Sequence, residues 1–315
     1  MRLRHRQWHH ATLTPQSCSW RASSHTISGV EALDRWISQK KSITLSETLH
    51  TDRVSDLYVT LPTRDGTRRP YASPKNLDSL GFGHHLTFFH PRTPEIFLRP
   101  DGTDADFCPP EPFVQRMWAG GRIEWRKPLV IGEKATAHMS VRSVDKKGFS
   151  GPVPMVFVKQ GIEITNEGEE DSAILEERTH VYLALGTKQN RFREVHGLPP
   201  PDFSFKFTPS PITLFRFSAL TFNGHHIHLD PNYARGSDGY PERLVHGPLM
   251  ALMLLETLTY NHPDAQLKSF EYRALNPVVV NSNLTFYGTW SGRQEIILWV
   301  QDEAGVVGMR GKAFL

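Results

Sequence analysis

The sequence predicts an α+β protein of two related β-rich domains, with an antiparallel sheet wrapped around one buried helix. Three observations lead there. First, one order of residues occurs twice. Ile123-Glu124-Trp125-Arg126 precedes Pro128-Leu129-Val130-Ile131-Gly132, and Phe270-Glu271-Tyr272-Arg273 precedes Pro277-Val278-Val279-Val280-Asn281. The two glutamates lie 147 positions apart, with Ala274 and Leu275 as the extra pair in the second copy. Second, runs of β character follow each copy. Third, residues 247–260 contain Leu249, Met250, Ala251, Leu252, Met253, Leu254 and Leu255 in unbroken succession. A helix that is apolar on nearly every face must be buried, and this one is too short to cross a bilayer.

Along the chain, residues 1–30 hold Arg2, Arg4, Arg6 and Arg21 with no Asp or Glu. That is the composition of a mitochondrial transit segment, and no apolar run follows to suggest a secretory signal. Residues 31–190 then form the first domain. Leu33, Trp36 and Ile37 make one face of a short helix over 30–39, and a second helix is expected over 80–89, weakened by Gly81 and Gly83. Strands are expected over 134–144, 156–165 and 177–184. Pro199-Pro200-Pro201 marks a linker over 191–210. The second domain, 211–315, opens on an expected strand over 212–217, continues to the buried helix, and ends in strands over 284–290 and 295–301.

Composition excludes several classes. The 315 residues suit about two domains. No stretch is apolar enough to span a membrane. Two cysteines, Cys18 and Cys108, cannot make a disulfide framework or a multi-cysteine zinc module. The formal charge of +3 gives no nucleic-acid footprint, and residues 31–315 alone carry −1, because the four N-terminal Arg meet no acid.

The densest polar stretch runs from Ser218 to Pro231 and contains Asn223, His225, His226 and His228. It lies just before the buried helix, whose start reads Val245-His246-Gly247-Pro248-Leu249. Histidine carries protons near neutral pH. A helix start offers unpaired N–H groups to a developing oxyanion, and a glycine there lets a carbonyl approach the backbone. The combination points to acid/base chemistry on a carbonyl compound. No metal is expected, because the histidines lack a further ligand class at a recognised spacing.

The stretch from Asn223 to Pro231, Tyr233-Ala234, Gly239-Tyr240-Pro241 and Val245 to Leu249 resembles the hydratase motif of the MaoC-like dehydratases. Arg116-Met117-Trp118-Ala119-Gly120-Gly121-Arg122 and Gly151-Pro152 resemble the N-terminal half of their two-domain members. These include mitochondrial hydroxyacyl-thioester dehydratase type 2 and mesaconyl-C4-CoA hydratase. The resemblance implies a tandem hotdog fold, an antiparallel sheet around a central helix in each domain, with the first half structural and the second catalytic. It implies reversible loss of water from a 3-hydroxyacyl thioester, with His228 as proton carrier and Gly247 N–H as oxyanion donor. The family carboxylate falls on Asn223, which cannot carry a proton but can orient the hydroxyl. His225, Tyr233, His246, Pro248 and Arg273 are expected around the substrate, His246 also bracing the helix start and Arg273 near a carrier phosphate. Asp230 is expected in a turn.

The function so implied is an (R)-3-hydroxyacyl-thioester dehydratase of mitochondrial type II fatty acid synthesis, in the matrix, needing no cofactor. Its substrate is an acyl-CoA or an acyl-ACP, with acyl carrier protein as a partner. One chain then stands in for a dimer, as a monomer or a homodimer. Two alternatives stay open: a hydratase of a short dicarboxylic acyl-CoA such as mesaconyl-C4-CoA, with Arg216 or Arg243 meeting the free carboxylate, and a weakened hotdog protein that only binds acyl thioesters.

Overall fold

The computed structural model describes residues 24–184, 187 and 192–315. The expected transit segment lies outside these residues except for its last seven, which open helix α1 (Ser24–Ser38). The first half then contributes β1 (Ser42–Thr48), α2 (Thr51–Tyr58), β2 (Phe113–Trp125), β3 (Lys134–Lys147), β4 (Met155–Asn166) and β5 (Ile174–Ala184). The second contributes β6 (Phe203–Phe207), α3 (Pro211–Leu220), α4 (His226–Leu229), α5 (Pro231–Gly236), α6 (Gly247–Asn261), β7 (Ser269–Ala274), β8 (Leu284–Trp290), β9 (Glu295–Gln301) and β10 (Val307–Phe314).

The strands form one antiparallel sheet in the order β1-β3-β4-β5-β2-β7-β10-β9-β8-β6. Reading outward from the β2–β7 seam, the two halves use the same permutation. The register at the seam repeats the relation: Arg122 faces Glu271 and Glu124 faces Ser269, the crossing a two-fold gives when Glu124 and Glu271 are equivalent. Arg122 and Glu271 also form an ion pair across it. The duplicated sequence pattern therefore marks the two strands that join the halves, and each covers an edge the other would leave open.

α6 lies in the concavity of the second half, against β6, β8, β9, β10 and β2. Residues 249–258 are all buried, which is why no face of it is polar. The one charged side chain among them, Glu256, is held in a network. Arg64 Nε donates at 2.9 and 2.8 Å, Thr63 Oγ1 at 2.6 Å, and the His84 ring at 2.8 Å. Burial opposes ionisation of Glu256, yet Arg64 and these donors prevail and hold its carboxyl at about 2.

Two expectations need correction. Residues 212–217 are helical, not a strand. Ser210 and Thr213 form a capping box, Pro211 sits in the first turn, and Leu214, Phe217 and Ser218 are buried at helical spacing. The helix expected over 80–89 is cut to a single turn, His84–Thr87. Gly83 has φ +82, which ends right-handed helix on its N-terminal side. The concave face of the first half is covered instead by α1, whose Leu33 packs with Val156, Val158 and Tyr182, and by Leu86, Phe88 and Phe89 around the single turn, which leave a cavity beside them. The linker expected over 191–210 also carries structure, since residues 203–207 form the edge strand β6 on β8.

Candidate active site

A cavity of about 340 Å³ runs from the start of α6 to the concave face of β2, β4 and β5. Asn223, His225, His228, Gly247, Pro248 and Arg273 line it. Tyr233 and His246 do not. Tyr233 stands behind the wall, edge-on to His226 at 5.5 Å and His225 at 6.5 Å. His246 is fully buried behind His228. Asp230 accepts from Asn232 N–H at 2.7 Å and caps α5, as a turn residue before proline should.

His228 is fixed from two sides. Its Nδ1 lies 2.8 Å from Leu244 O, so Nδ1–H donates to that carbonyl. The geometry assigns the tautomer and leaves Nε2 as an acceptor. Its ring stacks on His246 at 3.6 Å and 22°. His246 is braced in turn by a 2.9 Å bond between Nε2 and Ser218 Oγ of α3. Although His246 occupies the N-cap position of α6, its side chain makes no cap bond. Burial, opposed by the Leu244 carbonyl and reinforced by the Arg116 charge, pushes the His228 imidazole down to about 4. At neutral pH it is an uncharged base.

Asn223 sits in a tight turn after α3 in which Phe222 takes φ 48. Its N–H donates to Ser218 O at 2.8 Å, and its Oδ1 accepts from His225 N–H at 3.1 Å. The side-chain oxygen thus shapes the turn, and the amide NH₂ is what Asn223 can offer a ligand. His225 is buried, 5.5 Å from His228 ring to ring, with Nε2 3.9 Å from Asp101 Oδ2. Burial and the charges of His228 and Arg116 hold its imidazole well below its ordinary range.

Gly247 is the first residue of α6 and Pro248 the second, so the exposed N–H at this helix start belongs to Gly247. A side chain there is excluded. A Cβ would lie 2.7–2.9 Å from Trp118 Cγ, Cβ and Cδ1. Trp118, from β2, is held by Arg178 over its ring at 4.9 Å and by His180 edge-on at 5.2 Å. Arg178 is clamped by Glu176 at 2.7 and 3.0 Å. The first half therefore supplies a wall against the helix-start N–H of the second.

Arg116, Gln160 and His180 line the same wall, and residue-by-residue reading missed them as site residues. Arg116 and Trp118 stand inside the quoted motif. For His180 the available signal is Glu176, Arg178 and His180 at period two on a strand, polar groups on the face that β4 makes apolar with Ile162 and Ile164. Arg273 is exposed at the mouth, near Arg193. Arg216 instead reaches Val59 O at 3.3 Å, Arg243 pairs with Glu242 at 2.8 Å, and neither lines the cavity.

A ten-stranded antiparallel sheet of two like halves, the second around a long buried helix, with a neutral imidazole and a helix-start N–H on one cavity, defines a double-hotdog hydro-lyase. The family model for hydroxyacyl-thioester dehydratase type 2 matches residues 83–280, and the chain belongs to that family. It is 40% identical over 199 residues to mesaconyl-C(4)-CoA hydratase of Chloroflexus aurantiacus, covering 62% of this chain and 69% of that one. It is 29% identical over 247 residues to the mitochondrial hydroxyacyl-thioester dehydratase type 2 of Schizosaccharomyces pombe, covering 71% and 81%. In fold it is similar to a MaoC-like dehydratase from Phytophthora capsici, with TM-score 0.64 and 17% identity over 90% of this chain and 97% of that one. A Mycobacterium tuberculosis protein described as a double hotdog gives TM-score 0.54 at 13% identity, covering 89% and 97%.

Proposed function

We propose that the chain catalyses reversible dehydration of a 3-hydroxyacyl thioester, with His228 moving the proton and Gly247 N–H holding the carbonyl oxygen. The observation that carries this is His228 itself: Nδ1 bound to Leu244 O, Nε2 left to accept, and Gly247 N–H on the wall of the same cavity. In dehydration Nε2 takes the α-proton, the C–H electrons form the double bond through an enolate, and the C–O bond breaks. The leaving hydroxyl takes the proton from the imidazolium and departs as water. Enolate charge on the thioester oxygen meets Gly247 N–H, a donor worth about 2.7–4 kcal/mol of barrier in comparable oxyanion holes. Asn223 NH₂ orients the hydroxyl.

The working place is the mitochondrial matrix. The Arg-rich, acid-free residues 1–30 and two yeast relatives named as mitochondrial support this. The role that goes with this reading is in type II fatty acid synthesis on acyl carrier protein, with Arg273 and Arg193 at the mouth suited to a carrier phosphate. A second reading, hydration of a short dicarboxylic acyl-CoA, is supported by the name of the 40% identical relative and by the polar wall at Arg116, Gln160 and His180.

The test is hydration of crotonyl-CoA by the purified protein. Turnover is expected, and His228→Ala should lower kcat by at least about 10²-fold, the share a positioned acid/base typically supplies. A folded His228→Ala protein with wild-type turnover would remove His228 from the chemistry.

A further inference from the structure

Arg116 is a cation that makes no ion pair among the described residues. It lines the cavity on the concave face of β2, half-buried, beside Tyr182, its partner across the strands. Among the described residues no acceptor bonds its guanidinium, and no acid lies within 4.0 Å of it. The nearest carboxylates whose charge it feels are those of Asp101 and Asp104. Asp101 is already engaged by Arg99 at 3.6 Å and by Thr103 Oγ1 at 2.7 Å. By contrast Arg178, one pleat further along the same wall, is fully matched by Glu176.

The wall around Arg116 is also unsuited to a plain hydrocarbon chain. Gln160 and His180 are 6% and 8% exposed, and His180 Nδ1 has no hydrogen-bond partner. A methyl-ended acyl group pressed here would strip water from a guanidinium and an imidazole and return no acceptor. A carboxylate would accept bidentately from the guanidinium fork, the geometry arginine matches best. Arg116 is near the chemistry too: it is two residues from Trp118 on the same face of β2, and Trp118 packs against Gly247. The acidic group it fits is therefore close to the reacting carbons, not at the end of a long chain.

We infer that Arg116 is a specificity-determining residue that receives a carboxylate carried on the acyl group beside the reacting carbons, so that the substrate is a short dicarboxylic acyl thioester. This rests on the dehydratase reading and takes the second of its two acyl choices further.

The test compares crotonyl-CoA with fumaryl-CoA, which differ only in a methyl against a carboxylate on the β-carbon. The wild-type protein is expected to favour fumaryl-CoA by at least about 100-fold in kcat/KM, as sites built to bond a polar group do. In Arg116→Gln that ratio should fall to within about 10-fold of unity. Arg116→Lys, which keeps the charge and loses the fork, should fall between. If Arg116 only neutralises Asp104, the substitutions will lower stability and both rates together, and an unchanged ratio overturns the inference. A wild-type preference for crotonyl-CoA overturns it as well. If the wild type turns over neither compound, the dehydratase reading fails separately. The inference is then judged on the dissociation constants of the two thioesters for His228→Ala: tighter binding of fumaryl-CoA that Arg116→Gln removes supports it, and equal binding sinks it.

Discussion

At the scale of single residues, the catalytic centre depends on what is absent as much as on what is present. Gly247 has no side chain because Trp118 fills the space. Gly247→Ala should force Trp118 off its seat and misplace the helix-start N–H. A fall in kcat of about 10² or more is expected, the usual cost of a lost oxyanion donor, and it should be read beside the circular-dichroism spectrum to show the fold retained. His228 is held neutral by burial. A base at about 4 is deprotonated at every pH above that, so kcat/KM for crotonyl-CoA should stay flat from about pH 8 to pH 5. A drop centred near the ordinary histidine value of about 6.5 would show that the base titrates unshifted. The sequence made His228 and Gly247 legible, because a histidine loop before an apolar helix start is a local pattern. It hid Arg116, Gln160 and His180, whose roles depend on which face of a strand looks into the concavity.

At the scale of elements, α6 is positioned by a charge at its middle as well as by its apolar sides. Glu256 ties it to Arg64 and Thr63 after α2 and to His84 in the shortened turn. Removing the carboxylate strands a guanidinium against a buried site. Glu256→Ala should cost about 3–5 kcal/mol, the range for breaking a buried pair, measured as a lowered urea midpoint at unchanged slope. A change under about 1 kcal/mol would mean that the network contributes little beyond packing. β3, β4, β5, β8 and β9 were signalled by alternation, and β8 and β9 begin and end where the pattern does, whereas β1, β6 and β10 were not expected. α3 was misread because Ile212 and Leu214, and Phe215 and Phe217, stand two apart as on a strand, while Leu214 and Phe217 stand three apart as on a helix, and the deciding signal was the Ser210-Pro211 start. The shortening of the first-half helix was foreshadowed by Gly81 and Gly83, and the turn that remains still packs Leu86 on the sheet.

At the scale of the whole molecule, an unusual number of histidines are buried uncharged. Burial holds His84, His180, His225 and His246 below their ordinary range, with His228 at about 4 and His90 at about 3. The unfolded chain binds protons on these groups near about 6.5, whereas the folded chain does so only lower. Their contribution to stability is therefore complete above about 6.5 and is lost as pH falls through the folded values. The urea midpoint should decline steadily from about pH 7 to pH 5, before the carboxylates of Glu176 and Glu256, both held at about 2, begin to lose theirs. A midpoint constant over that window would contradict the burial of neutral histidines. The duplication could be read from two short motifs, because the seam strands kept their residues. Their pairing in one continuous sheet could not, since register depends on partners far apart in the chain.

The β2–β7 seam places the groups proposed to react on one side and much of the cavity wall on the other. His228 and Gly247 belong to the later half, while Arg116, Gln160 and His180 belong to the earlier one. A substitution on β2, β4 or β5 can alter what is admitted without disturbing how it is transformed. On the proposed division of labour, such a chain can drift between diets while its reaction stays the same.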